Sequence, residues 1–332
     1  MDGILVLDKP AGWTSHDVVA RVRRLTRARR VGHTGTLDPM ATGVLVICIG
    51  RATRIVEHMV GHDKRYRATM RLGVETDTYD VEGRVTAQHP VDVSETSLRS
   101  ALQALTGDIQ QVPPMYSALK RDGKKLVDLA RQGVEIEREP RRVSVYGIEL
   151  LSFDPPDATI DVHCSAGTYI RSLAHDAGRA LGCGAILSAL TRTAAGDFTL
   201  DQATPLDRFE ATVADGSWPS LLRPLDAGLA AFPAVTVSED DAGRARLGMS
   251  IPGPGASLAP LAPSPEVQGR VGVGVGASVP ALVAEQRVFR VYDPAGRIVG
   301  LMRWDAQRNE LRAEKILTTD DTDYTDVGGR EG

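Results

Sequence analysis

Asp38 is the acid around which this sequence gathers unusual backbone chemistry. It lies in Gly32-His33-Thr34-Gly35-Thr36-Leu37-Asp38-Pro39-Met40-Ala41-Thr42-Gly43, directly before the apolar run Val44-Leu45-Val46-Ile47-Cys48-Ile49. Glycine reaches backbone angles that other residues resist, and Pro39 fixes the angle just after the acid. A carboxylate on a stiff loop can act as a nucleophile or take a proton, provided the loop is held still. The same residues also make an ordinary turn, in which Asp38 only bonds its own backbone. Spacing alone leaves both readings open.

The elements around the loop read as follows. Residues 44–49 show no alternation and predict a strand buried on both faces. Residues 15–27 predict a helix capped by Thr14 or Ser15, with Asp17 at its positive end and Val18, Val22 and Leu25 on one face. That helix leaves its arginines outside. Residues 65–72 alternate: Tyr66, Ala68, Met70 and Leu72 share one face, and Arg65, Arg67, Thr69 and Arg71 the other. This predicts a half-buried strand near a polyanion, with Tyr66 read either as core or as a site residue. A helix is expected at 95–106, a proline-stiffened loop at 111–120, and a basic helix from 123 to 131. Strands are expected at 143–151 and 158–164. A helix from 169 to 181, capped by Thr168 and stopped by Gly182, puts Tyr169 and Arg171 in its first turn, where side chains and backbone donors can converge on a ligand.

The net charge of −4 conceals an uneven distribution. Residues 1–72 hold 13 Lys/Arg against 6 Asp/Glu, a balance of +7, and the remainder carries −11. Arg21, Arg23, Arg24, Arg27, Arg29 and Arg30 crowd into ten residues, which suits either a polyanion partner or a solvated helix face. Cys48, Cys164 and Cys183 are scattered among apolar residues and fit neither a disulfide framework nor a zinc ribbon, so a reducing cytoplasm is expected. No apolar run is long enough to span a bilayer, and the first residues lack the pattern of a secretory signal. Gly, Pro and Ala dominate 252–281, where Gly272-Val273-Gly274-Val275-Gly276 has no helix after it and so is no dinucleotide motif. Strands resume at 288–292 and 298–304, and the residues from 318 on are acidic and expected to be disordered.

Taken in order, these segments resemble the bacterial TruB family of tRNA pseudouridine synthases. The resemblance rests on Lys9-Pro10-x-Gly12-x-Thr14-Ser15, the 32–43 loop, Lys64-x-Tyr66, Pro113-Pro114-x-Tyr116-Ser117-Ala118-x-Lys120, Gly167-Thr168-Tyr169-Ile170-Arg171, Leu190-x-Arg192-Thr193 and Gly196-x-Phe198. It implies an α+β pseudouridine-synthase fold: a central, mainly antiparallel mixed sheet flanked by helices, plus a small C-terminal PUA-like β-barrel. The implied domains are a catalytic part at 1–230 with an RNA-binding insert at about 108–140, and a PUA-like part at 231–317. The latter would hold the Gly/Pro/Ala-rich insertion of about 252–285, and an acidic tail would follow at 318–332.

The family implies isomerisation of uridine-55 in the tRNA T-loop, with Asp38 as the essential carboxylate, either nucleophile or base. Arg171 would be its counter-charge, and Tyr66 would stack on the flipped base. His33 would displace the uridine or hold its neighbours, Tyr169 would line the pocket and Leu190 would pack beneath the base. Lys9, Lys64, Lys120, Arg23 and Arg24 are candidate RNA contacts. The reaction adds no group and changes no oxidation state, so neither cofactor nor metal is expected. The expected partner is the tRNA T-stem-loop alone, with no membrane, no obligatory protein partner and a monomeric chain. Two alternatives stand beside this: a non-catalytic RNA-binding or folding module, and a guide-dependent pseudouridine synthase.

Overall fold

A computed structural model describes residues 1–117, 119–121, 124–132, 134, 136–253 and 288–317. The acidic tail, and the Gly/Pro/Ala insertion beyond its first two residues, lie outside the described residues. The chain divides into two compact units, Met1–Arg223 and a second from Pro224 onward. Among the described residues no helix is long and apolar enough to cross a membrane.

The first unit is one mixed sheet with helices packed on it. Its principal strands are β1 (Gly3–Lys9), β2 (Val31–His33), β3 (Thr42–Ile49), β4 (Lys64–Leu72), β5 (Gly107–Gln111), β6 (Arg141–Asp154), β7 (Asp157–Cys164) and β8 (Ala185–Ala195). Their order is β1-β3-β8-β4-β7-β6-β5, and β2 pairs with part of the free edge of β3. Neighbours run antiparallel except at β3–β8, where two parallel pairs, Thr42 with Thr191 and Gly43 with Arg192, join the strands. The wholly apolar run became β3, and all its residues from Gly43 to Ile49 are buried.

Helix α1 (Ser15–Thr26) begins as its sequence predicts. The Thr14 hydroxyl accepts from Asp17 N–H, and the Asp17 carboxylate accepts from Thr14 N–H, a reciprocal cap. Val18 and Val22 turn inward onto Leu5, Leu7, Leu45 and Ile47, joined by Phe209 of α4 (Leu206–Ala214). On the other side of the β3–β8 join a second core forms around Met70, Ile160 and Val162. It is covered by α2 (Glu95–Ala104) and α3 (Ile170–Ala180). The 123–131 expectation is corrected: Lys124–Lys125 pairs as a strand with Lys120–Arg121, and only Leu126–Arg131 is helical. Thr168 is not the cap of α3; Tyr169 occupies that position, without a side-chain capping bond.

Strand β4 alternates as read, with Tyr66, Ala68, Met70 and Leu72 buried. Two of its three outer arginines face carboxylates of β7, while Arg65 is exposed opposite His163. Arg71 makes two hydrogen bonds of 2.8 Å to Asp157, and Arg67 lies 3.8 Å from Asp161. Cross-strand charge pairing of this kind is an ordinary property of a sheet's solvent face.

The second unit is a five-stranded sheet of β9 (Ala234–Thr236), β10 (Ile251–Pro252), β11 (Val288–Tyr292), β12 (Ile298–Asp305) and β13 (Glu310–Ile316), in the order β9-β11-β12-β13-β10. Helix α5 (Glu239–Arg246) packs Ala242 and Ala245 on Phe289, Val291 and Met302.

Candidate active site

The loop between β2 and β3 is braced from below by buried donors that meet its carbonyls. Lys9, wholly buried, donates through Nζ to Pro10 O at 2.9 Å, Trp13 O at 2.7 Å and Pro39 O at 3.2 Å. Arg192, 2% exposed, donates to Val44 O at 2.7 Å, Gly35 O at 3.1 Å and Thr36 O at 3.4 Å. Ser15 at the start of α1 both donates to Leu37 O and accepts from Leu37 N–H. Gly43 closes the loop at φ +99°, and a Cβ there would fall inside the main chain of Arg192. This is the close approach that requires glycine.

On this base sits Asp38, its side chain one-third exposed. Arg171, near the start of α3, hydrogen-bonds Asp38 Oδ1 through Nη2 at 3.0 Å, with Nε 3.0 Å from Oδ2. The Nε contact is an ion contact off the N–H direction, so the pair is not a symmetric fork. Two carbonyls complete the guanidinium's surroundings: Nη1 donates to Thr78 O at 3.1 Å and Nη2 to Tyr116 O at 2.9 Å. Asp80, almost fully buried, brings Oδ2 to 3.3 Å from Nη1. Arg171 thus stands between two carboxylates. Burial pushes the Asp38 carboxyl above the usual carboxylate range, Arg171 draws it back, and Asp80 raises it again. Arg171 is thus the group beside Asp38 that most favours its charged form.

A pocket of about 310 Å³ opens over this pair, lined by the loop from Thr34 to Asp38 and by Tyr66, Ala166 to Arg171, Leu190 and Arg192. Four expected residues, Tyr66, Tyr169, Arg171 and Leu190, therefore meet Asp38 in one cavity. Tyr66 and Leu190 are largely buried and form its floor. Burial raises the phenols of Tyr66 and Tyr169, so both stay protonated at neutral pH. Gln111 fixes Tyr169 by accepting from its N–H at 2.8 Å and donating to its carbonyl at 3.1 Å. His33 lies just outside the pocket wall and accepts from Gly35 N–H through Nδ1 at 3.2 Å. Burial, His16 and Arg192 push its imidazole down to about 4, so it is neutral.

Lys9 and Lys64 are buried donors; Lys64, which also lines the pocket, donates through Nζ to Val60 O at 2.6 Å and His62 O at 2.5 Å. Burial lowers both ammonium groups to about 8. The Lys120 side chain lies outside the described features. Arg23 is exposed and bonds Val31 O at 3.0 Å, while Arg24 is exposed with no ion-pair partner among the described residues. Asp80 escaped the sequence reading, since an acid in a loop carries no pattern. Arg192 gave a usable signal: with Leu190 and Ala194 it keeps the inward phase of β8.

The chain matches known proteins over both units. Residues 23–170 match the TruB family pseudouridylate synthase N-terminal domain, and residues 171–230 the tRNA pseudouridylate synthase B C-terminal domain. It is 49% identical to tRNA pseudouridine synthase B of Thiobacillus denitrificans over 320 residues, covering 96% of this chain and 97% of that protein. The protein of the same name from Burkholderia lata is 45% identical over 319 residues, covering 96% and 91%. A chain in the crystal structure of a Cbf5–Nop10–Gar1 complex superposes with a TM-score of 0.67 at 26% identity, over 95% of this chain and 85% of its own. An archaeal box H/ACA Nop10–Cbf5 complex gives 0.66 at 26%, over 96% and 87%. The expected pseudouridine-synthase fold, with its small β-rich C-terminal part, is that of the chain. With two family domains matched in order and near-half identity along almost the whole length, the chain belongs to the TruB family of pseudouridylate synthases.

Proposed function

We propose that this protein isomerises uridine-55 in the T-loop of tRNA to pseudouridine, with Asp38 as the essential carboxylate. The observation that carries the reading is Asp38 paired to Arg171 on a loop braced by Lys9, Ser15 and Arg192, at the edge of a pocket floored by Tyr66 and Leu190. The pocket, lined by Tyr66 and Leu190 and by Asp38 as its single anion, suits one flipped base and its sugar. The bond from ribose C1′ to uracil N1 breaks, the base turns within the pocket, and C1′ joins C5, which gives up its proton while N1 gains one. Asp38 serves either by attacking the substrate or by taking a sugar proton, and both roles need its ionised form. Extracting the base costs on the order of a few kcal/mol, drawn from RNA contacts made elsewhere. Arg171 keeps Asp38 charged and aimed, and Tyr66 stacks on the base. Neutral His33 packs against the nucleotides around the vacated position.

In this reading the first unit is catalytic, the 108–140 insert grips the T-stem-loop and the second unit is a PUA-like RNA-binding module. The protein works as a monomer in the cytoplasm and needs no guide RNA or partner. The stand-alone form is favoured over a guide-dependent one by the greater identity to the tRNA pseudouridine synthase B proteins than to the chains of the Cbf5 complexes. The test is incubation of the purified protein, without cofactor or partner, with an unmodified tRNA transcript, followed by mapping of pseudouridine. Product is expected at the T-loop uridine. Asp38→Asn is expected to bind tRNA as before and to form none, and product formation by that variant would falsify the assignment.

A further inference from the structure

Arg171 shares its helix face with His175, one turn further along α3, since residues four apart lie on the same side of a helix. Both side chains meet one short segment, in the loop between the paired strands Val74–Thr76 and Val85–Gln88. Arg171 donates to Thr78 O and faces Asp80, while His175 stacks on Tyr79 with ring centroids 3.9 Å apart and planes within 12°. Tyr79 therefore stands between the two residues that grip Arg171. It does so at φ +64°, the left-handed region that a residue with a Cβ enters only when its surroundings hold it there. The main chain is also tied from the sheet: Leu187 N–H donates to Tyr79 O at 3.0 Å, and Val81 N–H donates to Leu187 O at 3.2 Å. Strand β8, which carries Leu190 and Arg192 to the site, thus fixes the backbone on either side of Asp80. Neither Tyr79 nor His175 lines the pocket.

We propose that Tyr79 and His175 are positioning residues: their stack clamps the left-handed turn so that Thr78 O and the Asp80 carboxylate aim Arg171 at Asp38. Held on four sides, the guanidinium has one orientation. With the turn relaxed, it keeps only Asp38 and Tyr116 O and swings with them. The inference rests on the pseudouridylation reading.

The test compares steady-state pseudouridine formation on a tRNA transcript by four variants, with rates normalised to the folded fraction from a thermal melt. His175→Ala and Tyr79→Gly remove the stack, glycine accepting the backbone angle freely. His175→Phe and Tyr79→Phe keep it. The first two are expected to lose on the order of tenfold in kcat with KM within about twofold, a pattern expected when a reacting group is no longer oriented. Their acid limb should also move to higher pH, because a slackened Arg171 holds the Asp38 proton off less well. The phenylalanine variants should recover most of the rate. The inference is overturned if KM changes while kcat does not, if all four variants match the wild type, or if the phenylalanine variants are as slow as the stackless ones. If the wild type itself forms no pseudouridine, the functional reading falls and takes this inference with it; an active wild type matched by its variants sinks the inference alone.

Discussion

At the scale of single residues, the proposed chemistry turns on how Asp38 keeps its charge. Burial and Asp80 act against the anion, and Arg171 acts for it. A carboxyl that must be ionised, and whose pKa is raised, gives a rate that falls with acid at a higher pH than an ordinary carboxylate would. Arg171→Ala removes the favourable contribution, so the limb should move higher still. Turnover should drop by roughly 10²–10³-fold, the scale of removing one well-placed charge-stabilising group. Binding of tRNA, measured by filter retention, should hold within a few-fold. If affinity falls as far as turnover, Arg171 is a phosphate clamp and its pairing with Asp38 is incidental. The loop around Asp38 was legible from glycine, proline and the following apolar run, but those signals left the acid between a turn and a site, and the resemblance decided between them. Asp80 was not legible, because its meaning lies in a contact across ninety residues of chain to Arg171.

At the scale of elements, strands carry cations inward, and two of these, Lys9 and Arg192, hold the loop. Lys9 ends β1, Lys64 begins β4 and Arg192 lies in β8, each in phase with apolar neighbours. Period-two phase is therefore a signal that a charged residue points into the core, present for Lys64 in β4 and Arg192 in β8 but not for Lys9, whose strand is apolar on both faces. The family resemblance suggested RNA contact for Lys9 and Lys64; their burial gives both a bracing role in the fold. Arg192→Met keeps much of the side chain's volume but leaves three carbonyls under the loop without a donor. Removing hydrogen bonds from a charged group puts the expected destabilisation on the order of 3 kcal/mol, read by urea unfolding, with a parallel fall in kcat. Arg21→Ala is the contrast. Its paired bonds to Glu210 are better formed, yet both partners are about 30% exposed, and water takes over from such a pair at little cost. Its urea midpoint should stay close to that of the wild type. Equal shifts in the two variants would mean that burial does not set the scale here.

At the scale of the whole molecule, the uneven charge of the sequence becomes a surface. Arg24, Arg27, Arg29 and Arg30 are exposed at and beyond the end of α1, with no ion-pair partner among the described residues. On β4, by contrast, Arg67 and Arg71 face carboxylates of β7. Changing Arg24, Arg27 and Arg29 to Gln should weaken tRNA binding and flatten its dependence on log salt, by up to about 0.7–0.9 for each phosphate left without its arginine. The rate at saturating tRNA should stay unchanged, and an unchanged slope would put the RNA path elsewhere. Strands β4, β6 and β7 were readable from alternation and β3 from its unbroken apolar run, whereas β2, β5 and β8 were not read; of the helices, α1 was readable from its cap. The partition of the sheet's arginines was not readable, because cross-strand neighbours are set by topology and not by spacing.

The two-pair join between β3 and β8 gives the site a place in time as well as in space. The acid, and Lys9 and Ser15 that brace its loop, come before that seam in the chain; Arg171, which pairs with the acid, and Arg192, which completes the brace, come long after the acid. A growing chain exposes residue 38 long before residue 192 has been made. Through that interval Asp38 stands without its guanidinium and its loop without one of its donors. On the proposed function, competence toward RNA would arrive only when the last third of the first unit docks, so an unfinished copy is expected to be silent.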